Sequence, residues 1–187
     1  MKLRVLSTLL ALSASAAALT LVRQDMPTPG AEHAELLGAV GIWEGTLTNY
    51  MGGESEPIPA KETVIGIGGF WTQATFECDL GGFAYTGTGC QGFDQRTGKY
   101  VGTWIDNSSS NLAVMEGTPN DAGNVVMRWE APDPMTGEVV PHWQETARPS
   151  ENEYISTFYA GKGEGEKTMV IHMKRNEQKT IEANSKR

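Results

Sequence analysis

This chain has little cysteine, little histidine and a shortage of positive charge. Of 187 residues, two are cysteine and three are histidine, and 15 Lys and Arg face 23 Asp and Glu for a net charge of −8. There is no Cys-x-x-Cys pair for a zinc or iron–sulfur centre, and no two histidines stand at ligand spacing on one face. No Ser-His-Asp or Cys-His order marks a nucleophile. The acidic balance argues against nucleic acid and anionic membrane as partners, because both repel it at long range. Long apolar runs are absent after the first 18 residues, so no later segment has the length of a spanning helix.

The first 18 residues differ from the rest. Lys2 and Arg4 precede an apolar run from Val5 to Leu12, followed by Ala14, Ala16, Ala17 and Ala18. That pattern reads as a secretory signal cleaved near Ala16 or Ala18, the run being short for a membrane anchor. It implies an exported protein, periplasmic or extracellular, with no membrane insertion after cleavage. Loss of Lys2 and Arg4, with no carboxylate, moves the net charge from −8 to −10. The remaining chain, about 165 residues, suits one domain with a proper core.

Export permits a disulfide between Cys78 and Cys90. A reversal at Gly81-Gly82 sets Cys78 near Tyr85 and Cys90 near Gln73, on opposite faces of adjacent strands, and a bridge then needs a bulge. A longer loop centred on Ala84 pairs them directly.

What the chain has in quantity is glycine at turns. Thr88 to Asp106 reads as strand, tight turn and strand, with the turn at Phe93 to Tyr100 and Gly98 suited to positive φ. Asp133-Pro134-Met135-Thr136-Gly137-Glu138 repeats the device. Residues 19–30 read as a flexible lead and 31–40 as a short helix ended by Gly41. Ten strands follow, at 41–49, 58–67, 70–79, 83–93, 98–106, 111–118, 123–131, 138–147, 153–160 and 166–175. Residues 176–187 read as a polar, frayed tail. Short connections favour antiparallel neighbours, and so many strands are better closed than left with two long edges. The expected fold is all-β: a closed antiparallel meander barrel of about ten strands over 31–175, with a short N-terminal helix. A β-sandwich is the fallback. A ten-stranded barrel is wide enough to hold a small ligand.

Motifs in order carry a resemblance. They are Glu32-His33-x-x-Leu36, Val40-Gly41-x-Trp43-x-Gly45, Gly87-x-Gly89-x-x-Gly92-Phe93-Asp94, Lys99-Tyr100-Val101-x-Thr103-Trp104-x-Asp106, Glu116-Gly117 and Asp133-Pro134-x-Thr136-Gly137. Together, over about residues 29–175, they resemble the bacterial family called domain of unknown function 1579, a lipocalin-like group within the calycins. The resemblance implies a closed meander barrel with a helix near one end, and no catalytic residues. Gly41-x-Trp43 is similar to the lipocalin signature, in which the Trp packs across the barrel base.

Side chains alternate along a strand, so one assignment per strand sets the rest. Trp43 inward carries Gly45 and Leu47 inward. Tyr100 and Trp104 share a face, as do Leu112, Val114 and Glu116. Trp143 shares one with Glu145, and Met169, Ile171 and Met173 share another. Trp71 and Gln73 are placed inward, although Phe70, Ala74 and Phe76 on the other face serve equally well. The expected lumen therefore holds Trp43, Trp71, Gln73, Tyr100, Trp104, Glu116, Trp143, Glu145, Met169 and Met173. On this parity His142 and His172 face out, and all three histidines are surface or rim residues. No haem, metal or other cofactor is then expected. Asp94 and Asp133 serve turns more readily than calcium. Asn107-Ser108-Ser109 fits a glycosylation acceptor, of little use to a bacterial-type exported protein, and Gly161 to Gly165 reads as a hairpin tip.

Glu116 and Glu145 in a lumen admit three readings: a structural hydrogen-bond network, a ligand anchor, or an acid–base pair. The leading expectation is a non-enzymatic exported barrel that binds a small, largely apolar ligand. The alternatives are a hydrolase or isomerase-type enzyme using the two carboxylates, and a protein-interaction scaffold with a filled barrel.

Overall fold

Runs of β-branched and aromatic residues, cut at short intervals by glycine, fold as strands joined by tight turns. The computed structural model describes residues 26–133 and 136–184. The leader over 1–18 and residues 19–25 of the lead lie outside the described residues. A short helix, α1 (Ala31–Leu37), precedes ten strands: β1 (Gly41–Asn49), β2 (Ile58–Ile67), β3 (Trp71–Asp79), β4 (Ala84–Asp94), β5 (Lys99–Asp106), β6 (Ala113–Pro119), β7 (Val125–Pro132), β8 (Val139–Ser150), β9 (Glu153–Ala160) and β10 (Glu166–Arg175). Each strand pairs antiparallel with its chain neighbours, and β1 pairs with β10 to close the barrel. The expected meander barrel is the observed fold. Bulges interrupt the ladder between Lys167 and Met169 and between Ala147 and Ser150.

At one end of the barrel α1 packs against β3 and β4, and a histidine is one of its ties. The Gly30 N–H donates to His33 Nδ1 at 2.9 Å, so the ring proton sits on Nε2, which donates to the Phe93 carbonyl at 3.0 Å. The ring packs edge-on against Phe70 and Phe93, and the residue is 1% exposed. His33 is therefore neither a surface nor a rim residue. It ties the helix to β4.

Beneath the helix, Trp43 is fully buried against Met173 and Tyr154. Its indole donates to the Ala39 carbonyl, and the Arg175 guanidinium lies 4.2 Å from the ring centroid. Arg175 also donates to the Gly38 and Val40 carbonyls, which α1 and its following turn leave free. The end of β10 thus caps the helix and covers the tryptophan at once.

The tail expected to fray carries a second helix, α2 (Glu177–Asn184). Asn176 Oδ1 accepts from the Lys179 N–H, which caps the helix, and Thr180 Oγ1 accepts from the Ile42 N–H at the start of β1. Lys179 pairs with Glu44. These polar anchors hold a helix whose apolar face is weak.

Chain reversal at Gly81-Gly82 pairs Cys78 with Tyr85 and Cys90 with Gln73. Cys78 packs against the core and Cys90 lies on the other face, so both thiols are free.

Candidate functional site

Above the floor made by Trp43, Tyr154 and Met173 the barrel is hollow. The cavity measures about 1010 Å³ and runs from Glu35 and Leu36 of α1 and the β6–β7 turn at one end to Met51, Leu80 and Leu112 at the other. Its wall is mostly aliphatic, aromatic and sulfur-bearing: Leu47, Phe76, Met115, Met127, Trp129 and Phe158 contribute.

Cross-strand register decides which residues face it, because directly opposed residues of an antiparallel pair share a face. Tyr100 and Trp104 face inward as expected, as does Met169, and Trp43 and Met173 form the floor. Trp104 lies flat over β4, which carries glycine where the indole crosses. A Cβ at Gly87 would sit 2.3 Å from the ring. Its Nε1 donates to Tyr85 Oη, whose own hydroxyl reaches Asp106. Burial is the main cause that pushes the Tyr85 phenol up to about 12.

Five residues expected in the lumen lie elsewhere. Trp104 pairs with Ala113, which carries Ala113 and Met115 inward and turns Glu116 out to Lys99. Trp129 faces the lumen and pairs with His142, so β8 presents His142, Gln144, Thr146 and Arg148 inward and turns Trp143 and Glu145 out. Outside, Trp143 stacks on Tyr159, and Glu145 accepts from the Asn120 and Asn124 side chains. On β3 the lumen receives Thr72, Ala74 and Phe76, while Gln73 faces out and Trp71, 42% exposed, lies over Gly92. The single cause is parity: placing the tryptophan inward on β3 and β8, and Val114 inward on β6, inverted these three strands.

The same inversion reverses the placement of His142. It lines the cavity, its ring stacked on Trp129 with centroids 5.7 Å apart. Its Nε2 is buried without a hydrogen-bond partner among the described residues. Desolvation, partly opposed by the Ala131 backbone, lowers its pKa from the usual histidine value, which favours the neutral ring. His172 does lie on the outer face, paired with Glu153. Among the described residues no group of three or more His, Cys, Asp or Glu converges to hold a metal ion.

Polar groups gather low on one wall. Tyr154 Oη donates to Glu62 Oε2 at 2.7 Å, and burial raises the Glu62 carboxyl above the ordinary range against the opposing pull of that bond and of Arg148. Across the cavity Tyr100 Oη donates to Glu35 of α1. Alternation marks both faces of β8 but not which is inner; the signal that was missed lies in β7. Its apolar side, Val125, Met127 and Trp129, assigns the inner face of β8 once the register opposes Trp129 to His142.

No curated protein matches this chain. The family described as Protein of unknown function (DUF1579) matches residues 28–175, from just before α1 to the end of β10, and so takes in the whole barrel. By that match over most of its length, the chain belongs to the DUF1579 family.

Proposed function

We propose that this protein is an exported, non-enzymatic barrel that binds a small, largely apolar ligand in its lumen. The observation that carries the reading is a cavity of about 1010 Å³ inside the barrel, apolar in most of its wall. Pockets that bury small molecules have this size and this mixture of apolar wall with a few polar groups. A scaffold with a filled barrel has no such space. The enzyme reading rested on Glu116 and Glu145 sharing the lumen, and both side chains point away from it. Export rests on the leader pattern of residues 1–18.

Titration with a neutral fluorescent apolar probe such as N-phenyl-1-naphthylamine tests the binding reading. Saturable, one-to-one enhancement is expected. Native mass spectrometry of protein purified from its own host should show a retained small molecule. Absence of saturable probe binding together with a bare mass would sink the reading.

A further inference from the structure

The polar side chains of the lumen form a stripe. Down β8 the inward residues run Gln144, Thr146, Arg148, and Thr146 is directly opposed to Ser156 on β9. Gln144 Nε2 donates to Thr146 Oγ1 at 2.9 Å and to Ser156 Oγ at 3.1 Å, and the two hydroxyls are 2.9 Å apart. Arg148 ends the stripe at the bulge between Ala147 and Ser150. It is the one Lys or Arg among the described residues that line the cavity. Its guanidinium makes no hydrogen bond or ion pair with them. Its charge nevertheless acts on Glu62, Tyr154 and Tyr100, so it stands over the cavity floor.

The carboxylates near the cavity are differently disposed. Glu35 accepts from Tyr100, Glu62 accepts from Tyr154, and Asp106 at the end opposite α1 accepts from Tyr85 and Ser108. Glu130 is exposed. Burial also favours the uncharged form of Glu62, the carboxyl whose charge Arg148 feels at the floor. A planar guanidinium on the same inner face as two hydroxyls, two residues along β8 from Thr146, suits a carboxylate, which accepts two parallel N–H bonds. Trp104, Met115, Met127, Trp129 and Phe158, which also line the lumen, suit an apolar chain. The chain's net negative charge does not forbid this, since salt screens distant surface charges over about 8 Å.

We propose that the lumen's ligand is an anionic amphiphile of the long-chain carboxylate type, its head held by Arg148 with Thr146 and Ser156 and its tail along the aromatic and methionine wall. This rests on the lumen-binding reading and adds the sign and place of the head group.

Displacement of N-phenyl-1-naphthylamine by dodecanoate, dodecan-1-ol and dodecylamine tests the proposal on the barrel protein. In wild type, dodecanoate should displace the probe about tenfold more effectively than dodecan-1-ol, the factor of one charged hydrogen bond. Arg148→Met should abolish that preference while the probe and dodecan-1-ol bind as before. Glu62→Gln should keep the preference for dodecanoate and leave dodecan-1-ol unchanged, and loss of the preference in that variant overturns the proposal. Where Arg148→Met fails to fold, Arg148→Lys carries the test, and a reduced but persistent preference is expected. Equal affinity for acid and alcohol in wild type, or a preference that survives Arg148→Met, overturns the proposal while the binding reading stands. Preference for dodecylamine overturns it by reversing the sign. A wild type that binds no neutral probe removes the binding reading itself, and the proposal with it.

Discussion

Two buried side chains carry consequences that reach beyond their own contacts. Glu62 is raised by burial from an ordinary carboxyl value of 4.5. Between the unfolded and folded values the folded state keeps a proton that the unfolded chain has released, so stability falls as pH rises through that window. Below the unfolded value there is no penalty, and above the folded value it is complete. Glu62→Gln keeps an acceptor for the Tyr154 hydroxyl and removes the buried charge. Its melting temperature should match wild type near pH 4 and exceed it near pH 7. The gain is equivalent to about 1.4 kcal/mol for each pH unit by which the folded carboxyl titrates above the unfolded one. Thermal melts across that range check it, and a parallel pair of curves would refute it. His33 poses the opposite case, a buried ring with both nitrogens used. His33→Ala leaves the Gly30 N–H and the Phe93 carbonyl unsatisfied, at about 1–3 kcal/mol. Hydrogen exchange should quicken first in α1, and a uniform change over the barrel would contradict the clamp.

At the scale of elements, glycines decide how closely strands and rings approach. A Cβ at Gly89 would meet the Thr103 carbonyl oxygen at 2.1 Å and the Trp104 ring at 2.8 Å. Backbone cannot move as a side chain can, so Gly89→Val should cost at least the upper part of about 1–3 kcal/mol and shift Trp104 fluorescence. A variant with unchanged stability and emission would show that β4 and β5 lie farther apart. The strand order, the turns and the position of α1 were legible in the residues, because glycine, proline and aspartate punctuate the chain locally. The inner face of β3, β6 and β8 was not. On β3 and β6 both faces carry large apolar groups, Phe76 opposite Trp71 and Met115 opposite Val114, and on β8 the large apolar ring, Trp143, is on the outer face while His142, Gln144, Thr146 and Arg148 face in. Local alternation cannot rank them. α2 was missed because its sequence is polar, and its hold on β1 is made by Asn176, Lys179 and Thr180, not by an apolar face.

For the molecule as a whole, the test of the cavity is to fill it. Ala74 lines the lumen on β3. Ala74→Trp adds bulk to open space in place of packed core, so the melting temperature should change little while affinity for a neutral apolar probe falls at least about tenfold. Glu116→Gln, on the outer face, should leave probe binding within error of wild type. Reversal of that pair of results would mean that the strand parity described above is inverted. Ten strands in succession, a helix before them and glycine turns between them follow from the sequence alone, since each depends on residues close together in the chain. The inward place of His142 and Arg148, the burial of His33 and the outward place of Glu116 and Glu145 came only with tertiary structure. On β3, β6 and β8 neither face is marked as inner by its own residues, and which one is inner is settled when register with both neighbours closes the ring.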